Sequence, residues 1–350
     1  MNRKASHGGR APFSSALHIA VLTDGRAGNR AQALGLAEAL ARRADVRIEE
    51  RTVALKWPFA LLPARFWHAL GALPGWPALA LRDGGPTLAP LASAALLIGA
   101  GRRAAPIVAH LARREGVPSV QLLDPQMDPA AFSLVAAPAH DGLGAPNAVA
   151  TLGSVGRITP ASIAAAQAAL PAPLMRRLEA LPRPRIGVLL GGSSAAARWS
   201  DEDAAAFAAA CHRLAGDGYG LLITPSRRTD PALSDRLAAD LPKAACFLWD
   251  GTGSNPYPGM LGMVDAVLVT ADSVNMASEA AAAGLPVHVF PISHLGPKHR
   301  AFHRSLEAHG ASRPFDGRVD KWTYPPLAEA DRLAAIVADR LIPGRAPPPS

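Results

Sequence analysis

Short apolar runs alternate with alanine-rich helical stretches along most of this 350-residue chain. A buried strand, a helix and a second buried strand in that order form a right-handed parallel βαβ unit. In the first half the runs fall at 17–23, 46–53, 94–98 and 117–123, with weaker ones at 132–136 and 148–151. A stretch holding Pro171, Pro173, Pro182 and Pro184 then interrupts the pattern, as a connection between domains does. The runs restart at 186–190, 219–224, 245–249, 266–270 and 287–290. The length accommodates two domains. The pattern thus predicts two doubly wound, Rossmann-like α/β domains facing a cleft. They would occupy residues 16–170 and 185–325, joined by a connection at 171–184. A last helix, about 327–341 within a segment 326–342, packs back on the first domain in this reading. The ends, 1–15 and 343–350, read as tails.

The formal net charge of +8 favours anionic partners such as phosphates or anionic lipid. The excess is mostly arginine scattered through alanine-rich sequence, with no Lys/Arg block and interleaved aromatics, so nucleic acid is disfavoured. Two cysteines, Cys211 and Cys246, make neither a disulfide framework nor a metal cluster, and no metal site is expected. That usage suits a reducing cytosol. The basic start, MNRKASHGGRAPFSS, lacks the apolar stretch of a signal peptide and reads as a loose tail. Only 5% of residues are aromatic, yet Trp57, Phe59, Phe66, Trp67 and Trp76 crowd residues 56–81. Pro58, Pro63, Pro74 and Pro77, with Arg65 and His68, exclude a spanning helix there. An interfacial helix at lipid headgroups and a core helix both remain open.

Polar side chains gather where the apolar runs end, which is where open α/β sheets hold ligands. In the first domain LHIAVLT empties into DGRAGNRAQALGLAEAL. Gly25 and Gly28 allow positive φ and close approach, Arg26 adds charge, and Asn29 is placed to cap the helix and leave N–H groups for an anion. Asp24 then faces the cleft as a candidate base, or simply caps a tight glycine turn. The spacing is not GxGxxG, which disfavours a dinucleotide oxidoreductase. In LLIGAGRRAAP, Gly99 and Gly101 precede Arg102 and Arg103, a guanidinium pair suited to phosphate or carboxylate. Asp124 ends another run. His140 beside Asp141 can serve as a base or be structural.

In the second domain Gly191, Gly192, Ser193 and Ser194 follow a fully apolar run, as a loop of N–H donors and hydroxyls for phosphate without the lysine of a P-loop. Ser226, Arg227, Arg228 and Thr229 end the next run, and Asn255 and Tyr257 precede a short helix. In TADSVNMASEA, Thr270, Asp272, Ser273 and Asn275 crowd one turn, with Glu279 one helical turn further in. Four polar strand ends along one sheet point to a ligand with phosphates, hydroxyls and a flat ring. That is a nucleotide, with Glu279 accepting from ribose hydroxyls or merely favoured by the helix dipole.

DGRAGNRAQALGLAEAL, GAGRR, the 121–125 stretch, PAHDG, GGSS, TPSRRT, NPYPGML and TADSVNMASEA occur in this order. Together they resemble the bacterial members of the mitochondrial-fission (elongated-mitochondria) protein family, across roughly residues 16–310. The resemblance implies an architecture similar to the GT-B glycosyltransferases, with a nucleotide sugar on the second domain and an acceptor on the first. Three functions follow as expectations. The first is a metal-independent glycosyltransferase using a nucleotide-diphosphate sugar on a lipid or cell-envelope acceptor. The protein would then be cytoplasmic and peripheral on the inner face of the membrane. The second is a non-catalytic membrane adaptor, the role implied by plant relatives. The third is a nucleoside-diphosphate-sugar epimerase, disfavoured by the lack of a Tyr-x-x-x-Lys helix. Asp24 is the expected base, with His140 and Asp141 in reserve. Gly25, Arg26, Gly28, Asn29, Gly99, Gly101, Arg102 and Arg103 would hold an anionic acceptor group.

Overall fold

The computed structural model describes residues 16–64, 66, 75–83, 86–91 and 94–342. The two tails lie outside that range, as do Arg65, Trp67, His68 and Pro74. Twelve of the described strands form two parallel six-stranded sheets. In the first, β1 (Leu17–Thr23), β2 (Val46–Thr52), β3 (Ala94–Ala100), β4 (Ser119–Leu122), β5 (Leu134–Pro138) and β6 (Ala148–Thr151) lie in the order β2-β1-β3-β4-β5-β6. Val21 of β1 pairs with Glu50 on one side and Ile98 on the other. Alternate residues of β1 serve opposite cores. Ile19 and Val21 meet Leu36 and Leu40 of the helix Ala27–Ala41, while Ala20 and Leu22 meet Ile107 and Leu111 of the helix Ala105–Glu115. Burial on both faces is why the strand reads as a continuous apolar run.

The second sheet repeats the plan with β7 (Arg185–Leu190), β9 (Gly220–Pro225), β10 (Cys246–Leu248), β11 (Ala266–Thr270), β12 (Val287–Phe290) and β14 (Ser312–Pro314), ordered β10-β9-β7-β11-β12-β14. A two-residue pair, β8 (Ala197–Arg198) against β13 (His294–Leu295), ties the loop after β7 to the loop after β12. Neither that pair nor β14 is visible as an apolar run, since strands of two or three residues bury too little. Ile186, Val188 and Leu190 pack on Phe207 and Leu214 of the helix Asp201–Gly216. Leu189, Val267 and Val269 pack on Ala277 and Phe302 from the helices Val274–Ala282 and Pro297–Ala308.

The proline-rich stretch is more than a connection. It contains the helix Ala172–Glu179, with Pro173 in its first turn, where a missing N–H costs nothing. Leu178 is fully buried beside Leu222 and Phe247. The buried Arg185 guanidinium donates to the carbonyls of Glu179 and Leu181, closing the end of the helix. In residues 56–81, Phe59–Leu61 and Ala78–Ala80 are 3-10 turns, while the middle of the segment, on which the expected interfacial or core helix falls, lies outside the described residues.

The helix Glu329–Leu341 lies on the first domain, with Leu333, Ala334 and Val337 in the core that holds Leu36 and Leu40. The Leu152 N–H donates to Glu329 Oε2 at 3.0 Å, and Arg332 donates to the Ala150 carbonyl at 2.6 Å. The first and last described elements therefore share one core. Truncating Leu333, which has no exposed surface, to alanine should cost about 2–5 kcal/mol in urea unfolding. A loss under about 1 kcal/mol would mean that the helix packs less tightly than its burial implies.

Candidate functional site

The carboxyl ends of β7 and β11 are stitched by side chains from the turn after β11. The Gly191 N–H donates to Thr270 Oγ1 at 2.9 Å, and the Gly192 N–H donates to Asp272 Oδ2 at 2.6 Å. The other Asp272 oxygen accepts from the Trp199 indole at 3.1 Å. The Asp272 side chain is 0% exposed, with Arg228 3.9 Å away. A Cβ on Gly192 would lie 1.9 Å from the Arg228 carbonyl oxygen, and one on Gly191 would lie 1.8 Å from Asp272 Oδ2. Only glycine fits there. This corrects the phosphate-cradle reading of the loop. Both glycine N–H groups are spent inside the protein, while Ser193 Oγ accepts from the Trp199 N–H and Ser194 Oγ from the Ala196 N–H.

The turn after β9 closes on itself. Ser226 N–H donates to Thr229 Oγ1, which in turn donates to the Gly191 carbonyl, leaving Arg227 and Arg228 exposed. Ser226 and Arg227 line a cavity of about 570 Å³ together with Trp249 and Arg177. That volume suits a small molecule of nucleotide size. Gly191, Gly192 and Ser193 line a different cavity of about 540 Å³ with Arg228 and Arg236.

Glu279 sits at the seam between the domains. Its carboxyl end is enclosed although the residue keeps some surface, and burial pushes its pKa from 4.5 up to about 7. Among the described residues no cation contributes to that pKa. Tyr257, buried and with its backbone N–H held by Asn255 Oδ1, points its hydroxyl at the carboxylate. The hydroxyl lowers the Glu279 pKa, but burial outweighs it, and the Tyr257 Oη itself has no partner in strict hydrogen-bond geometry. The cavity beside Glu279, walled by Ser154, Gly156 and Glu329, is only about 110 Å³. Of the residues expected to hold a nucleotide, Ser226 and Arg227 thus line one cavity, Gly191, Gly192 and Ser193 a second, and Glu279 a third.

The same helix binds the segment that leaves the first sheet. Ser154 N–H donates to Ser278 Oγ at 3.1 Å, and Ser154 Oγ donates to Asn275 Oδ1. Ser273, at the N-terminal cap position of that helix, is buried and makes no capping bond. A Cβ on Gly28 would come within 2.9 Å of Asn275 Nδ2, so Gly28 serves close approach between the domains.

In the first domain the helix starts at Ala27 with Arg26 at its cap position and no side-chain cap, which corrects the capping role expected of Asn29. Asn29 instead donates to Asp24 Oδ1 at 2.9 Å and packs on Gly101, where φ is +82° and a Cβ would meet it at 2.3 Å. Asp24 also accepts the Arg26 N–H, and its side chain is only 4% exposed. The carboxylate is committed to shaping its turn, as the capping alternative holds, and is not a base open to the cleft. Gly25 has φ +75°, and Gly99 packs against Gln121 and Val108. Arg102 and Arg103 occupy the turn before Ala105.

His140 and Asp141 do face the second domain. Asp141 pairs with Lys298 at 2.6 Å, and the His140 ring stands edge-on to Phe302 at 5.9 Å between centroids. His299 and His303 join them from the same helix, His303 bonding the Ala271 carbonyl at 2.7 Å. Burial lowers the pKa of all three histidines. Lys298, His299, His303 and Trp199 were not among the expected residues. The run HLGPKHRAFH after β12 is the signal, a fifth polar strand end on the same sheet.

Two doubly wound domains with this seam define a GT-B-like protein. Solved structures with the same architecture include the UDP-GlcNAc 2-epimerase of Methanocaldococcus jannaschii, with TM-score 0.57 at 10% identity over 92% of this chain and 100% of that one. The UDP-GlcNAc 2-epimerase of Neisseria meningitidis bound to UDP-GlcNAc gives TM-score 0.55 at 11% identity over 94% of this chain and 100% of that one. The family model for mitochondrial fission ELM1 matches residues 27–341, and the chain belongs to that family. Arabidopsis thaliana mitochondrial fission protein ELM1 is 33% identical over 168 residues, 46% of this chain and 39% of the plant protein. An uncharacterised protein of Rickettsia prowazekii (strain Madrid E) is 25% identical over 92% of this chain and 98% of its own.

Two outcomes test this geometry. Asp272→Ala strands the Gly192 N–H and the Trp199 indole and should cost about 2–5 kcal/mol in urea unfolding. A change within about 0.5 kcal/mol would show that the stitch is dispensable. Glu279 carries the opposite sign. Its native pKa lies above its unfolded value, so the ionised carboxylate destabilises the fold above about pH 7, and the penalty fades as pH falls toward 4.5. Glu279→Gln should gain up to about 3 kcal/mol at about pH 8 and nothing below pH 4.5. Equal stability of the two proteins at about pH 8 would refute the burial of an ionised group.

Proposed function

We propose that the protein is a nucleotide-sugar-dependent glycosyltransferase whose second domain takes the donor. Its first domain takes a lipid or cell-envelope acceptor at the cytoplasmic face of the membrane. Glu279 carries the reading. A carboxylate kept near neutrality with no cation beside it costs stability, and such groups mark sites where a ligand uses them. Ribose hydroxyls would donate to it. The likeness to structures of UDP-GlcNAc enzymes supports a nucleotide sugar as ligand, while identities of 10–12% speak only to the fold. The seam cavity is too small for a nucleotide, so donor entry would require the domains to part about the seam.

The transfer itself needs positive charge where the diphosphate leaves and a base where the acceptor hydroxyl attacks. Arg227 and Arg228 are exposed at the carboxyl end of β9 and would supply the charge without a metal. With Asp24 committed to its turn, the reserve pair takes its place. Burial keeps His140 neutral at physiological pH with a lone pair available, and Asp141, held by Lys298, sits beside it.

An epimerase is the second reading, favoured by the architecture shared with UDP-GlcNAc 2-epimerases. Incubation with UDP-GlcNAc alone separates the two, since an epimerase yields the 2-epimer without any acceptor. For the donor site, calorimetry with UDP should show Glu279→Ala weakening binding by about 1–3 kcal/mol. Unchanged affinity would remove Glu279 from the site.

A further inference from the structure

Among the described residues, the large apolar side chains left exposed are Trp57 (77%), Leu61 (69%), Leu62 (37%), Phe66 (50%) and Leu79 (59%). All five fall within residues 57–79. Scattered exposed apolar residues are ordinary, but a concentrated set marks a binding surface. The backbone beneath it is tied down. Leu55 and Leu81 form an antiparallel bridge and are buried, Lys56 N–H donates to the Ala80 carbonyl, and Arg82 N–H donates to the Ala54 carbonyl, both at 2.8 Å.

Beside this surface opens a cavity of about 440 Å³ whose wall joins Leu61, Leu62 and Pro63 to Arg102, Arg103 and Gln126. Arg103 Nε is buried without a hydrogen-bond partner. Arg102 makes one long contact, 3.4 Å to Gln126 Oε1. Neither arginine forms an ion pair with a carboxylate among the described residues. Gln126 holds φ at +54°, a costly conformation outside glycine, and Asp124 Oδ1 pins it by accepting its N–H at 2.8 Å. Two unneutralised guanidinium groups thus stand at the mouth of a cavity with apolar lips.

We propose that this is a docking site for the phosphate headgroup of an anionic bilayer lipid. The phosphate sits between Arg102, Arg103 and Gln126, whose fork-shaped and amide donors match its oxygens. Trp57, Leu61 and Leu62 enter the headgroup–acyl boundary beside it. The chain's net charge of +8 favours approach to an anionic surface. The inference deepens the acceptor half of the proposed function and rests on it, and the donor half does not enter.

Flotation of the full chain with vesicles of phosphatidylcholine, with and without phosphatidic acid, tests it. The wild type should float with the phosphatidic acid vesicles and not with phosphatidylcholine alone. Arg102→Ala should weaken the association roughly fivefold, and adding Arg103→Ala should weaken it by a similar factor again. Trp57→Ser with Leu61→Ser should weaken it about tenfold or more at unchanged charge. Arg102 and Trp57 are exposed, so those variants read binding even if the Arg103 change harms folding. Wild type that ignores both vesicles overturns the proposal, and UDP binding by the same preparation would leave the donor reading standing. Binding that survives the Trp57/Leu61 change overturns it in favour of general charge attraction. Thermal stabilisation by inorganic phosphate without flotation overturns it in favour of a soluble phosphate ligand.

Discussion

A carboxylate with no exposed surface, Asp272, joins the ends of two adjacent strands in the second domain. Its two oxygens take the Gly192 N–H and the Trp199 indole, and Thr270 beside it takes the Gly191 N–H. A buried charge is tolerable only when such donors surround it. The stitch explains why two glycines follow β7, since any side chain there would overlap Asp272 or the Arg228 carbonyl. It also sets the start of the helix that carries Asn275, Ser278 and Glu279.

That helix fixes the register of the two domains. Asn275 and Ser278 hold Ser154, and Gly156 lies against Glu279 Cγ, while a Cβ on Gly35 would meet the Gly156 carbonyl at 2.6 Å. A second tie, Lys298 to Asp141, spans the seam among three histidines. Ionised Glu279 costs the fold stability in this closed arrangement, because burial opposes its charge and no cation among the described residues answers it. A ligand that brought donors to Glu279 would recover that loss, so stability and binding are coupled at one side chain.

The doubly wound fold was legible because β1, β3, β7 and β11 are buried on both faces and so read as unbroken apolar runs. The strand β14 was not, since SRP at a sheet edge has no apolar signature. Site residues could be placed at strand ends but not given partners. Asp24 reads equally as base or cap until Asn29 is seen donating to it. The Gly191–Gly192 loop reads as a phosphate cradle until residues eighty positions away claim its N–H groups. Glu279 was legible by position alone, for its raised pKa arises from burial at a seam to which the chain brings Gly156 from elsewhere, and the Tyr257 hydroxyl only partly offsets it.

The central claim, that the second domain is built to receive a nucleotide sugar, is tested most directly by thermal unfolding in the presence of UDP-, GDP-, ADP- and CMP-sugars. Specific binding to the native state raises the transition temperature by mass action, by about 2.7 kcal/mol of stability at a hundredfold excess over Kd. The account predicts that one nucleotide series raises it in a saturable way and the others do not. No shift with any of the four, at concentrations well above ordinary cellular levels, would contradict it.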